Sequence, residues 1–189
     1  MRYLIMSRVG RSIVLIGMMG SGKSSVGRCL HRMTGLALLQ TDEMVASNFK
    51  MPIPEIFAKH GEKKFRAAET EMLRTLSTAK RTVIATGGGI VLQKANVEIL
   101  KRVGVIVWLD GNEETLFKRA LERTDRPLLQ TKNPRRTFSE ILGARTPLYA
   151  KIADIRIDTS DFTDEEVAVA ILTRLRMVNR KSRFAPTIK

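Results

Sequence analysis

The chain has one cysteine, Cys29, in 189 residues, which excludes an internal disulfide framework. It has two histidines, His31 and His60. Both fall inside helical patterns without metal-ligand spacing and read as structural. No apolar run approaches the roughly 20 residues needed to cross a bilayer. The first eight residues, Met1 to Arg8, carry too short an apolar patch for a secretory signal. Internal repeats and low-complexity linkers are lacking. Aromatic residues make up 5% of the chain, and none interleave with its basic segments as base-stacking surfaces require. Acidic residues are also scarce, 19 against 33 basic ones, for a net charge of +14. These features leave a cytoplasmic globular protein with anionic partners such as nucleotides, phosphates, carboxylates or nucleic acid. Hydrophobic residues make up 43%, enough for one domain with a sizeable core. The basic residues near the end, among them Arg174, Arg176, Arg180, Lys181, Arg183 and Lys189, read as a solubilising charge. From about residue 178 the tail lacks helical periodicity and is expected to fray.

The most informative stretch is Gly17-Met18-Met19-Gly20-Ser21-Gly22-Lys23-Ser24, which fits G-x-x-x-x-G-K-[ST]. It follows the apolar run Ile13-Val14-Leu15-Ile16 and precedes a helical pattern, the strand–loop–helix context the motif requires. The backbone around Gly20, Ser21 and Gly22 can curl about an anion, with its amides and the positive end of the next helix aimed at phosphate oxygens. Lys23 then reaches the β- and γ-phosphates of a nucleotide, the Ser24 hydroxyl ligates Mg²⁺, and Ser25 joins the ATP-binding set.

Apolar runs predict strands at 12–16, 37–39, 82–85, 105–109 and 155–157. Helical patterns cover 24–33, 41–47, 53–60, 62–75, 94–101, 113–122, 134–149 and 163–176. Continuous apolar strands alternating with helices predict a parallel sheet covered on both faces. Gly35 is placed for a left-handed helix cap, and Asn112 and Thr163 for N-caps. The segment from Arg123 to Pro134 is polar, basic and punctuated by two prolines. It reads as a mobile loop serving as a lid, because phosphoryl transfer requires water to be excluded and negative charge to be neutralised.

Further signatures occur in order. Thr41-Asp42-Glu43 follows the second strand, and Phe65-Arg66-Ala67-Ala68-Glu69 follows Pro54-Glu55-Ile56-Phe57. Ala85-Thr86-Gly87-Gly88-Gly89 closes the third strand, Arg126-Pro127-Leu128-Leu129 lies in the lid, and Arg145-Thr146-Pro147-Leu148-Tyr149 lies beyond it. Together they resemble the shikimate kinase family from about Ser12 to Leu175. The resemblance implies a P-loop NTPase fold of the nucleoside-monophosphate-kinase type. This is a three-layer α/β/α sandwich around a roughly five-stranded parallel sheet of order 2-3-1-4-5. It further implies one kinase domain over 1–189, with a substrate-binding subdomain at about 41–73, a lid at about 123–134 and the basic tail at about 178–189. The implied activity is ATP-dependent phosphorylation of the shikimate 3-hydroxyl, a step of aromatic amino acid biosynthesis, by a Mg²⁺-dependent monomer without nucleic-acid or membrane partners.

The resemblance also carries roles to particular residues. Arg66 and Arg145 match the carboxylate-binding arginines, a role that suits a guanidinium fork. For Arg66 the competing reading is an ion pair with Glu62 or Glu69 on its own helix. The Phe-Arg-x-x-Glu pattern favours the binding role, with Glu69 orienting the arginine. Asp42 matches the aspartate on the substrate hydroxyls, where it either accepts the proton of the attacking group or orients it. Gly87, Gly88 and Gly89 are expected to bring backbone amides close to substrate. Arg126 matches the lid arginine that stabilises charge on the transferring phosphoryl group, alongside Lys23. Arg119 stands either near adenine or as a solvent-facing helix residue. The chain departs from the family at Gln40, where Asp-x-Asp is usual, so the metal leans on Ser24, Asp42 and the phosphates. Three other readings compete. They are a kinase for another polyol acid such as gluconate, a weakened nucleotide-binding module suggested by Gln40, and a nucleic-acid binder suggested by the net charge.

Overall fold

The computed structural model describes residues 11–76, 81–122 and 126–183. Its strands are β1 (Ser12–Ile16), β2 (Ala37–Gln40), β3 (Thr82–Ala85), β4 (Gly104–Asp110) and β5 (Ile155–Asp158). They form one parallel sheet in the order β2-β3-β1-β4-β5, the expected topology. All five residues of the central strand β1 are buried, which explains why Ile13 to Ile16 form a continuous apolar run instead of alternating. Ile13 and Leu15 pack on one side with Val26 and Leu30 of α1 (Lys23–Thr34) and Ile171 of α7 (Asp164–Arg183). Val14 and Ile16 pack on the other, with Leu100 of α4 (Lys94–Val103), Leu116 of α5 (Glu113–Leu121) and Phe138 and Tyr149 of α6 (Pro134–Ile152).

The helix ends follow the local sequence. Gly35 adopts φ 73° and donates its N–H to His31 O at 2.8 Å, ending α1 as expected. The Asn112 side chain accepts from the Glu114 and Thr115 amides at the start of α5. Thr163 and Glu166 exchange hydrogen bonds in a capping box before α7. His31 Nδ1 donates to Leu36 O at 2.6 Å and His60 packs on Phe49, so both histidines serve structure.

A separate apolar cluster lies away from the sheet. It consists of Val45 of α2 (Thr41–Phe49) with Ile56 and Phe65 of α3 (Ile53–Thr75). The helices expected at 53–60 and 62–75 run together as α3 but break at Gly61, whose φ 76° and ψ 163° are not helical. Two expectations are corrected. α7 continues to Arg183, past the point where fraying was expected, because residues 177–183 are mostly good helix formers and Pro186 is the first breaker. Residues 184–189 lie outside the described set. The lid segment is not a plain loop where it is described. Pro127–Leu129 forms a 3₁₀ turn, and the buried Leu129 ties that turn to the core. Residues 123–125 lie outside the described residues. No described helix is long and apolar enough to cross a membrane.

Nothing lies within 4 Å of the place a Cβ would occupy at Gly61, so a substitution there meets no steric obstacle. The backbone conformation itself is open almost only to glycine. Gly61→Ala is therefore expected to cost roughly 1–3 kcal/mol of stability. Urea denaturation measures this, and an unchanged midpoint contradicts the account.

Candidate active site

Two cavities open beyond the C-terminal ends of the strands, where parallel sheets generally hold ligands. The larger, about 620 Å³, is lined by Gly20, Gly22, Lys23, Ser24 and Ser25 of the loop after β1 and the start of α1. The smaller, about 60 Å³, is lined by Phe57, Phe65 and Arg66 of α3, by Gly87, Gly88 and Gly89 after β3, and by Arg145 of α6. Met19, Asp42, Gly88 and Arg126 line both. The structure thus brings the sequence-selected residues to two chambers with a shared wall.

The loop after β1 is held from within. Lys23 Nζ donates to Met18 O at 2.8 Å and to Ser21 Oγ at 3.4 Å. Ser21 is fully buried beneath the loop and does not line the cavity, so its side chain supports the loop from below. The Ser25 hydroxyl donates to Gly22 O at 3.0 Å and to Asp164 at 2.9 Å, which ties it to α7. Burial lowers the Lys23 pKa to about 7, and the nearby guanidinium groups of Arg126 and Arg145 push the same way against Asp42. This ammonium is strained by its own surroundings, and an anion in the cavity relieves it.

The ion pairs expected of Arg66 on its own helix form, and the side chain also reaches a cavity. Its guanidinium donates to Glu62 at 2.9 and 3.1 Å and to Glu69 at 2.5 Å, while the side chain is 11% exposed and lines the smaller cavity. Three of its five N–H groups are committed there, which leaves two for a ligand. Burial opposes its charge, but Glu69 and Glu62 outweigh burial and its pKa rises. Burial pushes the Glu69 carboxyl up to about 7. The Asp42 carboxylate adds to this, against the pull of Arg66 and Arg145.

The glycines after β3 make room for these side chains. A Cβ at Gly87 would collide with the carboxylates of Asp42 and Glu69, and one at Gly89 with the Arg66 guanidinium. The Gly87 amide, expected to approach a substrate, is already donated to Thr41 Oγ1 at 3.0 Å. Thr41 was missed as a supporting residue, although it directly precedes Asp42. Arg145, 6% exposed, enters no ion pair among the described residues. For Arg119 the solvent-facing alternative is overturned. Its guanidinium donates to Thr159 O at 2.9 Å and Ser160 O at 3.1 Å, so it bridges α5 to the loop after β5 and lines the larger cavity.

The family model described as Shikimate kinase matches residues 19–176. The chain belongs to the shikimate kinase family. It is 45% identical over 173 residues to a shikimate kinase of Thermodesulfovibrio yellowstonii, covering 91% of this chain and 99% of the relative. A second relative of that name, from Moorella thermoacetica, is 48% identical over 84% of this chain and 90% of its own. The solved structure of shikimate kinase from Acinetobacter baumannii in complex with shikimate superposes with a TM-score of 0.86 at 36% identity, covering 92% of this chain and 96% of that one.

Other residues lining the larger cavity escaped the sequence reading of this family member. They include Arg28, Phe162, Thr163, Asp164 and Glu165. Arg28 follows Ser24 by one helical turn, a signal the sequence offered. The others come from the far end of the chain, where Thr163 was legible only as a cap.

The lowered Lys23 pKa has a measurable consequence. Above pH 7 the free lysine is largely neutral, and a bound polyphosphate restores its charge. Nucleotide binding at about pH 8, where free phosphates have already lost their protons, is therefore expected to take up protons. Affinity should hold below pH 7 and fall as pH rises above it. Calorimetry in buffers of different ionisation enthalpy measures the uptake, and Lys23→Met should abolish it. Uptake that persists in the variant contradicts the account.

Proposed function

We propose that this chain transfers the terminal phosphoryl group of ATP to the 3-hydroxyl of shikimate. The observation that carries the reading is the shared wall of the two cavities. A polyphosphate seated on the loop after β1 and a small carboxylate seated between Arg66 and Arg145 would meet beside Asp42, Gly88 and Arg126. Holding both reactants in this way supplies much of the catalysis of phosphoryl transfer, in which positioning and charge stabilisation dominate.

In this mechanism Arg66 and Arg145 fix the carboxylate, and Phe57 and Phe65 face the ring. Asp42 accepts the hydrogen bond of the attacking hydroxyl and takes its proton as the new O–P bond forms and the bond to the ADP oxygen breaks. Lys23 and Arg126 stabilise the charge that spreads over the phosphoryl oxygens. Arg119 lines the nucleotide chamber and bridges to the loop after β5, in keeping with a place near the base. The segments at about 41–73 and 123–134 act as substrate-binding subdomain and lid, and the basic tail solubilises. The protein works as a cytoplasmic monomer without a nucleic-acid partner.

The residues present suit Mg²⁺, which takes hard oxygen ligands and keeps several waters. Ser24 and Asp42 line the larger cavity, while Gln40, which is not among its lining residues, keeps a buried Oε1 without a hydrogen-bond partner among the described residues. Ser24 would hold the ion together with the nucleotide phosphates, with Asp42 as an acceptor for its waters. When bound, the ion neutralises phosphate charge.

Asp42→Asn retains an acceptor but cannot take a proton. It is expected to lower kcat by about 10²–10⁴-fold while the KM for shikimate changes little, as read by ADP release. A kcat near that of the parent protein rejects the general-base role. Lys23→Ala should abolish turnover in the same assay. A panel of hydroxy acids that includes gluconate, with product mass measured, should show shikimate phosphorylated in strong preference, and preference for another acid overturns the substrate assignment.

A further inference from the structure

Tyr149 is fully buried in α6 and has no part in the mechanism above. Its ring packs in the core with Trp108, the centroids 6.0 Å apart. Its hydroxyl leaves that core at one point, where it donates to Gly88 O at 2.5 Å. The Arg145 guanidinium lies near enough to the same hydroxyl to pull its pKa down against burial. Arg145 and Tyr149 are four residues apart on one helix and so share a face. Gly88 belongs to the wall common to both cavities, and a Cβ built on it would lie 3.5 Å from Arg145 Nη1 and 3.3 Å from Gly17 O. The phenol and the buried cation of one chamber therefore meet at the same residue, beside the phosphate loop of the other.

The chemistry fixes what the hydroxyl can still do. A phenol has one O–H to give, and the carbonyl of Gly88 takes it. Only lone pairs then remain on the oxygen, which suits an N–H of Arg145. Burial also pushes the Tyr149 pKa up to about 12, so the donor stays a donor across the working pH range. A buried guanidinium with no ion pair among the described residues needs such an acceptor, because desolvation otherwise penalises its charge. The same guanidinium lines the smaller cavity.

We infer that Tyr149 is the positioning residue for Arg145. Its hydroxyl locks the guanidinium against the Gly88 backbone, so that the fork meets the substrate carboxylate without having to search for it. This rests on the assignment of Arg145 to that carboxylate.

Tyr149→Phe keeps the ring and removes the lock. The KM for shikimate is expected to rise about tenfold, the effect of losing one hydrogen bond to a charged group, while kcat and the KM for ATP stay within about twofold. In an Arg145→Ala background the same substitution should add nothing further to the KM for shikimate, since the group it positions is gone. A thermal melt of each variant checks the fold. A Tyr149→Phe variant with the KM for shikimate unchanged, while Arg145→Ala raises it, overturns the inference and leaves the carboxylate assignment standing. Additive effects in the double variant, or equal increases in both KM values, indicate a merely structural tyrosine and also overturn it. No change in the KM for shikimate on Arg145→Ala overturns both.

Discussion

The constraint on which the site depends is an excess of positive charge where little water reaches. Lys23, Arg66, Arg126 and Arg145 gather around Asp42 and Glu69. Like charges weaken one another there, as the depressed Lys23 pKa records, with burial as its main cause and Arg126 and Arg145 adding to it. A core built for stability alone would not retain such a group of residues. The arrangement makes sense when two anions, one in each chamber, complete it. The empty protein thus carries an electrostatic cost that its ligands remove, so that binding energy is concentrated where phosphoryl charge develops.

The fold serves this arrangement by rigid support. β1 is buried along its whole length, and the loop it delivers is braced by Ser21 beneath and by Ser25 against Asp164. β3 delivers three glycines whose missing side chains admit Asp42, Glu69 and Arg66. α6 delivers Arg145 from a helix anchored by Phe138 and Tyr149 in the core. The smaller chamber is walled on one side by α3, whose partner cluster around Val45, Ile56 and Phe65 is separate from the sheet. One wall is therefore stiff, and the other is built as a smaller unit.

The parts of this site that were legible in the sequence were the parts with local signatures. The phosphate loop, the break at Gly61 and the caps at Gly35, Asn112 and Thr163 follow from short patterns whose chemistry acts within a few residues, whereas the sheet order was implied only by the family resemblance. The parts that were not legible depend on contacts across the chain. Thr41 meets Gly87 over 46 positions, and Tyr149 meets Gly88 over 61. The glycine triplet showed the same limit. Its sequence implied close approach, but only the fold reveals that carboxylates and a guanidinium of this chain occupy the space. Arg119 was ambiguous because helical spacing alone cannot tell solvent from a bridge to Thr159 and Ser160.

The most direct test of the central claim is a crystal structure of this chain with shikimate and ADP bound. The account predicts the carboxylate within hydrogen-bond reach of both Arg66 and Arg145, with a ring hydroxyl turned toward Asp42 and the phosphates over Lys23. A carboxylate turned instead toward Lys23, with Arg66 and Arg145 left without an anion, would contradict it.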